Sequence, residues 1–85
     1  MKISRLMHIF ANRHKVTIVE EESSAGTVVT LKSGAASYSY TVSPLGLHFA
    51  GSNEPKGVRV KVPHLVMTES QMTRFISDIE AGVKA

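Results

Sequence analysis

Residues 58–62 read Val58-Arg59-Val60-Lys61-Val62, and they form the cleanest two-faced stretch in the chain. Side chains in a β-strand alternate between its two faces. The three valines therefore share one face and require a core, while Arg59 and Lys61 share the other face and meet either water or a partner. The pattern predicts a strand over 58–62, ended by Pro63 because proline cannot donate to a sheet ladder.

Four stretches upstream alternate in a similar way, and turn residues separate them. They cover residues 16–19 (with the acidic run 20–22 as the strand end), 27–31, 36–42 and 47–49. In the third, Tyr38, Tyr40 and Val42 share one face. The connections among these four strands are of hairpin length, so consecutive strands are expected to be antiparallel neighbours.

An amphipathic helix is predicted on each side of the strands. The first covers residues 2–15, and its apolar spacing of i, i+3, i+4 and i+7 is set by Ile3, Leu6, Met7 and Phe10. The second begins with a capping box formed by Thr68 and Gln71. It repeats the apolar spacing at Met72, Phe75, Ile76 and Ile79. Gly82 is predicted to end it.

These elements predict a single α+β domain over residues 1–85, in the order α-β-β-β-β-β-α. The expected architecture is an antiparallel meander of four to five strands with the N- and C-terminal helices packed on one face. The other face would be wet and rich in hydroxyl groups, because Ser37, Ser39 and Thr41 alternate with the tyrosines.

Composition narrows the class of protein. The chain of 85 residues contains no cysteine, which removes disulfides, thiolate nucleophiles and cysteine-ligated metal sites. A secreted domain of this size usually depends on disulfides, so a cytoplasmic location is expected. No apolar run has the length of a signal peptide or of a membrane span.

No pattern typical of catalysis or of metal binding is present. Glu20, Glu21 and Glu22 alternate faces in a strand and do not converge on one ion. None of the four histidines stands three or four residues from another histidine or a carboxylate. His48 could form a polar cluster with Tyr38 or Tyr40 on adjacent strands. We interpret such a cluster as an ordinary cross-strand contact and not as a catalytic site. We therefore expect neither enzymatic activity nor a cofactor nor a metal.

The charge pattern leaves two functional hypotheses. The net charge of +3 is uneven, with basic residues grouped in 1–15 and in 56–61. The first hypothesis is a non-catalytic protein-interaction module that docks on a protein partner, and the basic residues suit an acidic one. Phages and mobile elements commonly encode accessory proteins of this size that act as regulators or inhibitors. The alternative is a weak, largely sequence-independent nucleic-acid-binding protein.

Both hypotheses use the same candidate residues. The basic side of the first helix offers Arg5, His8 and Lys15, and the 58–62 stretch offers Arg59 and Lys61. Tyr38 and Tyr40 would stack on bases if their face were open, and would be core if the helices covered it. Strand edges also permit pairing between two copies of the chain.

Overall fold

The computed structural model describes residues 3–84 and confirms the predicted α+β class. Its elements in chain order are α1 (Arg5–Arg13), β1 (Thr17–Ser23), β2 (Gly26–Ser33), β3 (Ala36–Ser43), β4 (Gly46–Asn53), β5 (Leu65–Val66) and α2 (Glu69–Lys84). Of the helix predicted over 2–15, residue 2 lies outside the described part of the chain. Ser4 caps α1, because its hydroxyl oxygen accepts from the Met7 amide.

The five strands form one antiparallel sheet in the order β1-β2-β3-β4-β5. Two-residue turns close the first three hairpins. At two of them, a serine hydroxyl accepts from the amide two residues ahead and donates to a glycine carbonyl, which makes the turns at Ser23 and Ser43 equivalent. Both turns lie at the same end of the sheet, so the meander is built from two similar hairpins.

The core lies between one face of the sheet and a layer that contains both helices. Residues predicted to point inward are buried there, including Val29 and Leu31 of β2 and the whole apolar stripe of α2. The capping box that starts α2 is also present: the Gln71 amide donates to the Thr68 hydroxyl, and the Gln71 side chain accepts from the Thr68 amide.

The prediction of a strand over 58–62 is wrong, since this stretch is extended but belongs to no sheet. The fifth strand is the two-residue β5, which follows Pro63 rather than preceding it. Residues 58–62 instead run through the helix layer beside α2. The alternation itself is retained, because the three valines pack against the core and Arg59 and Lys61 are exposed. The valines thus satisfy their burial without ladder hydrogen bonds.

Two further predictions fail for packing reasons. Leu6 is 76% exposed, because the buried row of the first helix runs through Ile3, Met7 and Ala11. Gly82 does not end α2, which continues to Lys84. A Cβ atom at Gly82 would lie 2.7 Å from the Arg59 carbonyl oxygen, so the glycine allows the 58–62 stretch to approach the helix.

Candidate functional site

A groove lies where the extended stretch passes α2. Lys61, Val62 and Pro63 form one wall, and Gln71, Arg74, Phe75 and Asp78 form the other. Phe75 belongs to the buried stripe of α2 and is only 2% exposed, so the accessible apolar surface of the groove comes from Val62 and Pro63. The groove holds about 270 Å³. This volume is below the roughly 300–1,000 Å³ of typical small-molecule sites, so it suits one or two inserted side chains better than a whole ligand.

The rim of the groove carries an excess of positive charge. Lys61 and Arg74 face it together with a single carboxylate, that of Asp78. Within residues 3–84, neither cation has a carboxylate oxygen within 4 Å. Arg59 is exposed two residues before Lys61 and is likewise without such a contact. Exposed cations next to apolar lining residues are suited to a partner segment that combines carboxylates with an apolar side chain.

The wall of this groove next to Pro63 is anchored from the core. The Tyr40 hydroxyl donates to the Pro63 carbonyl oxygen at 2.7 Å. The Tyr38 hydroxyl donates to the Glu54 carboxylate at 2.9 Å, near the start of the same connection between β4 and β5. These two hydrogen bonds tie residues 54–63 to β3, which positions the wall before any partner arrives.

Tyr38 and Tyr40 are fully buried, so they belong to the core and not to a partner surface. Their rings make edge-to-face contacts with Phe75, at centroid distances of 5.5 and 5.8 Å. Burial raises the pKa of the Tyr38 phenol above its usual range, with the Glu54 hydrogen bond as a further cause. Burial also raises the pKa of Tyr40, with a smaller contribution from the charge of Tyr38. Neither ring can stack on a base in this fold.

The candidate residues of the first helix lie apart from the groove. Arg5 is exposed near its start, and Lys15 is exposed just past its end in a left-handed conformation with φ of 61°. His8 is partly occupied within the chain, since its Nε2 atom lies 2.9 Å from the Glu20 carboxylate of β1. The fold therefore places Arg59 and Lys61 together but does not bring the residues of α1 to them.

The remaining histidines serve local contacts. His14 packs on Phe10 and reaches the Glu80 carboxylate of α2 at 3.0 Å. His48 does not cluster with the tyrosines, because it points to the opposite face of the sheet and contacts the Ser43 hydroxyl at 2.7 Å. Among residues 3–84, no three acidic or histidine side chains are grouped so that they could hold a metal ion.

The face of the sheet opposite the helices is uncovered, and we call it the open face. Register places three rows of side chains on β1, β2 and β3 there, as follows from the pairing of the strands. The central row consists of Val19, Thr30 and Ser39. The flanking rows are Thr17, Lys32 and Ser37 on one side, and Glu21, Val28 and Thr41 on the other. Lys32 and Glu21 are the charged residues of these rows.

A second, shallower depression of about 410 Å³ lies between the N-terminal turns of the two helices. Leu6 and Phe10 line it together with Glu69, which is its one charged lining residue. Of its polar lining residues, Ser4 caps α1 and Thr73 donates to the Ser70 carbonyl oxygen, which leaves Glu69 as the one polar group able to meet a ligand, so we assign none. None of the helices in the described part of the chain has both the length and the apolar character needed to cross a membrane.

Sequence reasoning missed Arg74 and Phe75 as groove residues. Phe75 was predicted only as core, and Arg74 stands on the polar side of α2, where its local pattern does not distinguish it from other exposed residues. The available signal was that Arg74 is the first cation of α2.

Comparison with known proteins found no matching family model and no significant match among curated proteins or solved structures.

Proposed function

We propose that this protein is a small, non-catalytic interaction module that docks on an acidic segment of a partner protein through the groove between residues 61–63 and α2. The observation that carries the proposal is the combination of accessible apolar lining at Val62 and Pro63 with two rim cations, Lys61 and Arg74, that have no carboxylate contact within residues 3–84. A regulator or inhibitor would act in this way by occupying a surface of a larger protein.

Three features favour a protein over a nucleic acid as the partner. The two tyrosines that could have stacked on bases are buried. Phe75, the aromatic residue that lines the groove, is 2% exposed, so the groove offers no ring on which a base could stack. The basic residues are also divided between α1 and the groove, so they form no continuous track for a phosphate backbone.

The test is capture of a binding partner by the immobilised protein from lysate of its source cell, with and without nuclease. The decisive variant is Arg59→Glu combined with Lys61→Glu, both at exposed positions where the fold should be unaffected. The matched control is Arg13→Glu combined with Lys15→Glu, which makes the same change of charge at exposed positions at the end of α1 and just past it. We expect the groove variant to lose at least 90% of the captured protein, a loss of about tenfold.

The outcomes separate the hypotheses. A protein that is retained by the α1 variant, lost by the groove variant and indifferent to nuclease supports the proposal. Loss in the α1 variant alone would move the site to α1. Capture that disappears with nuclease, and that weakens steeply between low and physiological salt, would replace the proposal with nucleic-acid binding.

A further inference from the structure

We infer that the open face is the interface of a two-fold symmetric homodimer, in which the Lys32 row of one copy lies over the Glu21 row of the other. The inference concerns the side of the sheet opposite the groove and does not depend on the proposed function. It starts from the arrangement of the three rows on β1, β2 and β3.

The two charges of the open face do not contact each other within one copy. Glu21 and the row of Lys32 are separated by four residues along the strands, which is about 14 Å at a rise of about 3.4 Å per residue. Both side chains are exposed, and neither has an ion-pair contact within 4 Å in the described residues. Between them, the central row holds only valine, threonine and serine.

A second copy of the chain places each of these two charges near an opposite charge. The central row lies two residues from each flanking row. A two-fold axis that lies between the two faces and runs along the central row, perpendicular to the strands, therefore exchanges the flanking rows. Lys32 then stands over the partner's Val28 and one strand away from the partner's Glu21, about 5 Å laterally. Because the interface is isologous, the same contact forms twice. Val19, Thr30 and Ser39 of the central row each face the same residue of the other copy across the axis.

The area of the open face is sufficient for a weak dimer. The register also places His48 and Asn53 of β4 on this face, and four strands at about 4.8 Å spacing and seven residues of length at about 3.4 Å cover roughly 450 Å² in projection. Two such faces bury roughly 900 Å², less than the roughly 1,200–2,000 Å² of stable specific interfaces, so the dimer should be weak, reversible and concentration-dependent.

Pairing through strand edges is a poorer route to a dimer. The β1 edge carries Glu20, Glu21 and Glu22 in succession, so two antiparallel β1 edges would bring six carboxylates together. The opposite edge is β5, which has only two residues. The predicted homodimer through a strand edge is therefore replaced by one through the face.

The test is analytical ultracentrifugation over a range of protein concentrations, with a charge exchange as the probe. Lys32→Glu and Glu21→Lys should each weaken dimerisation about tenfold, because each turns two attractive contacts into repulsive ones. The double variant should return to within threefold of the original chain. Lys56→Glu, which makes the same charge change as Lys32→Glu in an exposed turn, should leave dimerisation unchanged.

A second measurement uses the absence of cysteine from the chain. Thr30→Cys places one thiol beside the two-fold axis, where a short bismaleimide should join two copies, whereas Lys56→Cys should remain uncoupled. Restoration by the double exchange together with selective coupling at position 30 establishes the inference. A chain that is monomeric at all concentrations, or a dimer indifferent to the single exchanges, overturns it.

Discussion

At the scale of single residues, the two tyrosines of β3 connect the core to the surface. Each ring fills the space beneath α2, and each hydroxyl leaves the core to hold one part of the connection between β4 and β5. The residue type is suited to this double role, since a tyrosine offers a large apolar ring with a polar end. Replacement by phenylalanine would keep the packing and remove the anchor.

The raised pKa values of Tyr38 and Tyr40 predict a loss of stability at alkaline pH. Below about pH 10 both phenols are protonated in the folded and unfolded states, so their contribution is fully present. As the pH rises above 10, the unfolded chain loses these protons first, and the free energy of unfolding falls by up to about 1.4 kcal/mol per pH unit for each tyrosine. Tyr38 should contribute less, because its hydroxyl meets the exposed Glu54.

Urea unfolding at pH 8, 10 and 11 measures this loss, and absorbance at 295 nm reports tyrosine ionisation. The control is the chain with both Tyr38→Phe and Tyr40→Phe, whose stability should fall less over the same interval. If the tyrosines ionise near pH 10 while the protein stays folded, the phenols are accessible and the interpretation is wrong.

At the scale of elements, the extended stretch 58–62 shows how a strand-like pattern is used outside a sheet. Its valines pack against the core, and its close approach to α2 depends on Gly82. A glycine near a helix end usually indicates termination, but here α2 continues past it. Because Gly82 has no side chain, residues 58–62 can pack closely against α2.

Gly82→Ala should therefore destabilise the protein, although alanine is the better helix former by about 1 kcal/mol. The new Cβ atom would lie 2.5 Å from a Val60 methyl group and 2.7 Å from the Arg59 carbonyl oxygen. Overpacking of this kind typically costs about 1–3 kcal/mol, which outweighs the gain in helix propensity. Chemical denaturation gives the difference in the free energy of unfolding.

The matched control is Gly51→Ala, where a Cβ atom would meet nothing within 4 Å and where φ is not positive. We expect that variant to be as stable as the original chain or slightly more so, since alanine suits a strand interior better than glycine. A gain of stability in Gly82→Ala would show that residues 59–60 move away from the helix at little cost.

At the scale of the whole molecule, the sheet separates two surfaces of different character. The groove lies in the helix layer and carries cations that have no carboxylate contact within residues 3–84, while the open face lies on the other side and carries one cation and one carboxylate on β1 to β3. The two proposed contacts therefore do not compete for space. A dimer formed through the open face would present two grooves that point away from each other.

This separation predicts that the two surfaces act independently. Effects of substitutions more than about 7–10 Å apart with no shared partners are usually additive. Arg59→Glu with Lys61→Glu should leave the dimerisation constant within twofold, and Lys32→Glu should leave partner capture within twofold at a concentration where the chain is monomeric. Ultracentrifugation and partner capture, each applied to both of these variants and to the original chain, measure the two quantities. Joint loss of both activities would contradict the independence and indicate a common structural defect.

Local patterns in the sequence determined most elements of this protein. Apolar spacing and the capping box specify α2, and alternation between turn residues specifies the first four strands, because these signals involve neighbours in the chain. Alternation also determined which side of residues 58–62 is buried. It could not decide whether the buried side faces a sheet partner or a helix, since both offer an apolar surface to the valines.

Only the tertiary structure decided where the functional surfaces lie. The groove joins residues 61–63 to Arg74 and Phe75, which share no local pattern, and it exists because the connection after β4 crosses back over the core. The burial of Tyr38 and Tyr40 was equally undecided, because a period of two separates the faces of a strand without stating which face the helices cover. Long-range packing makes that choice, and the functional surfaces of this chain follow from it.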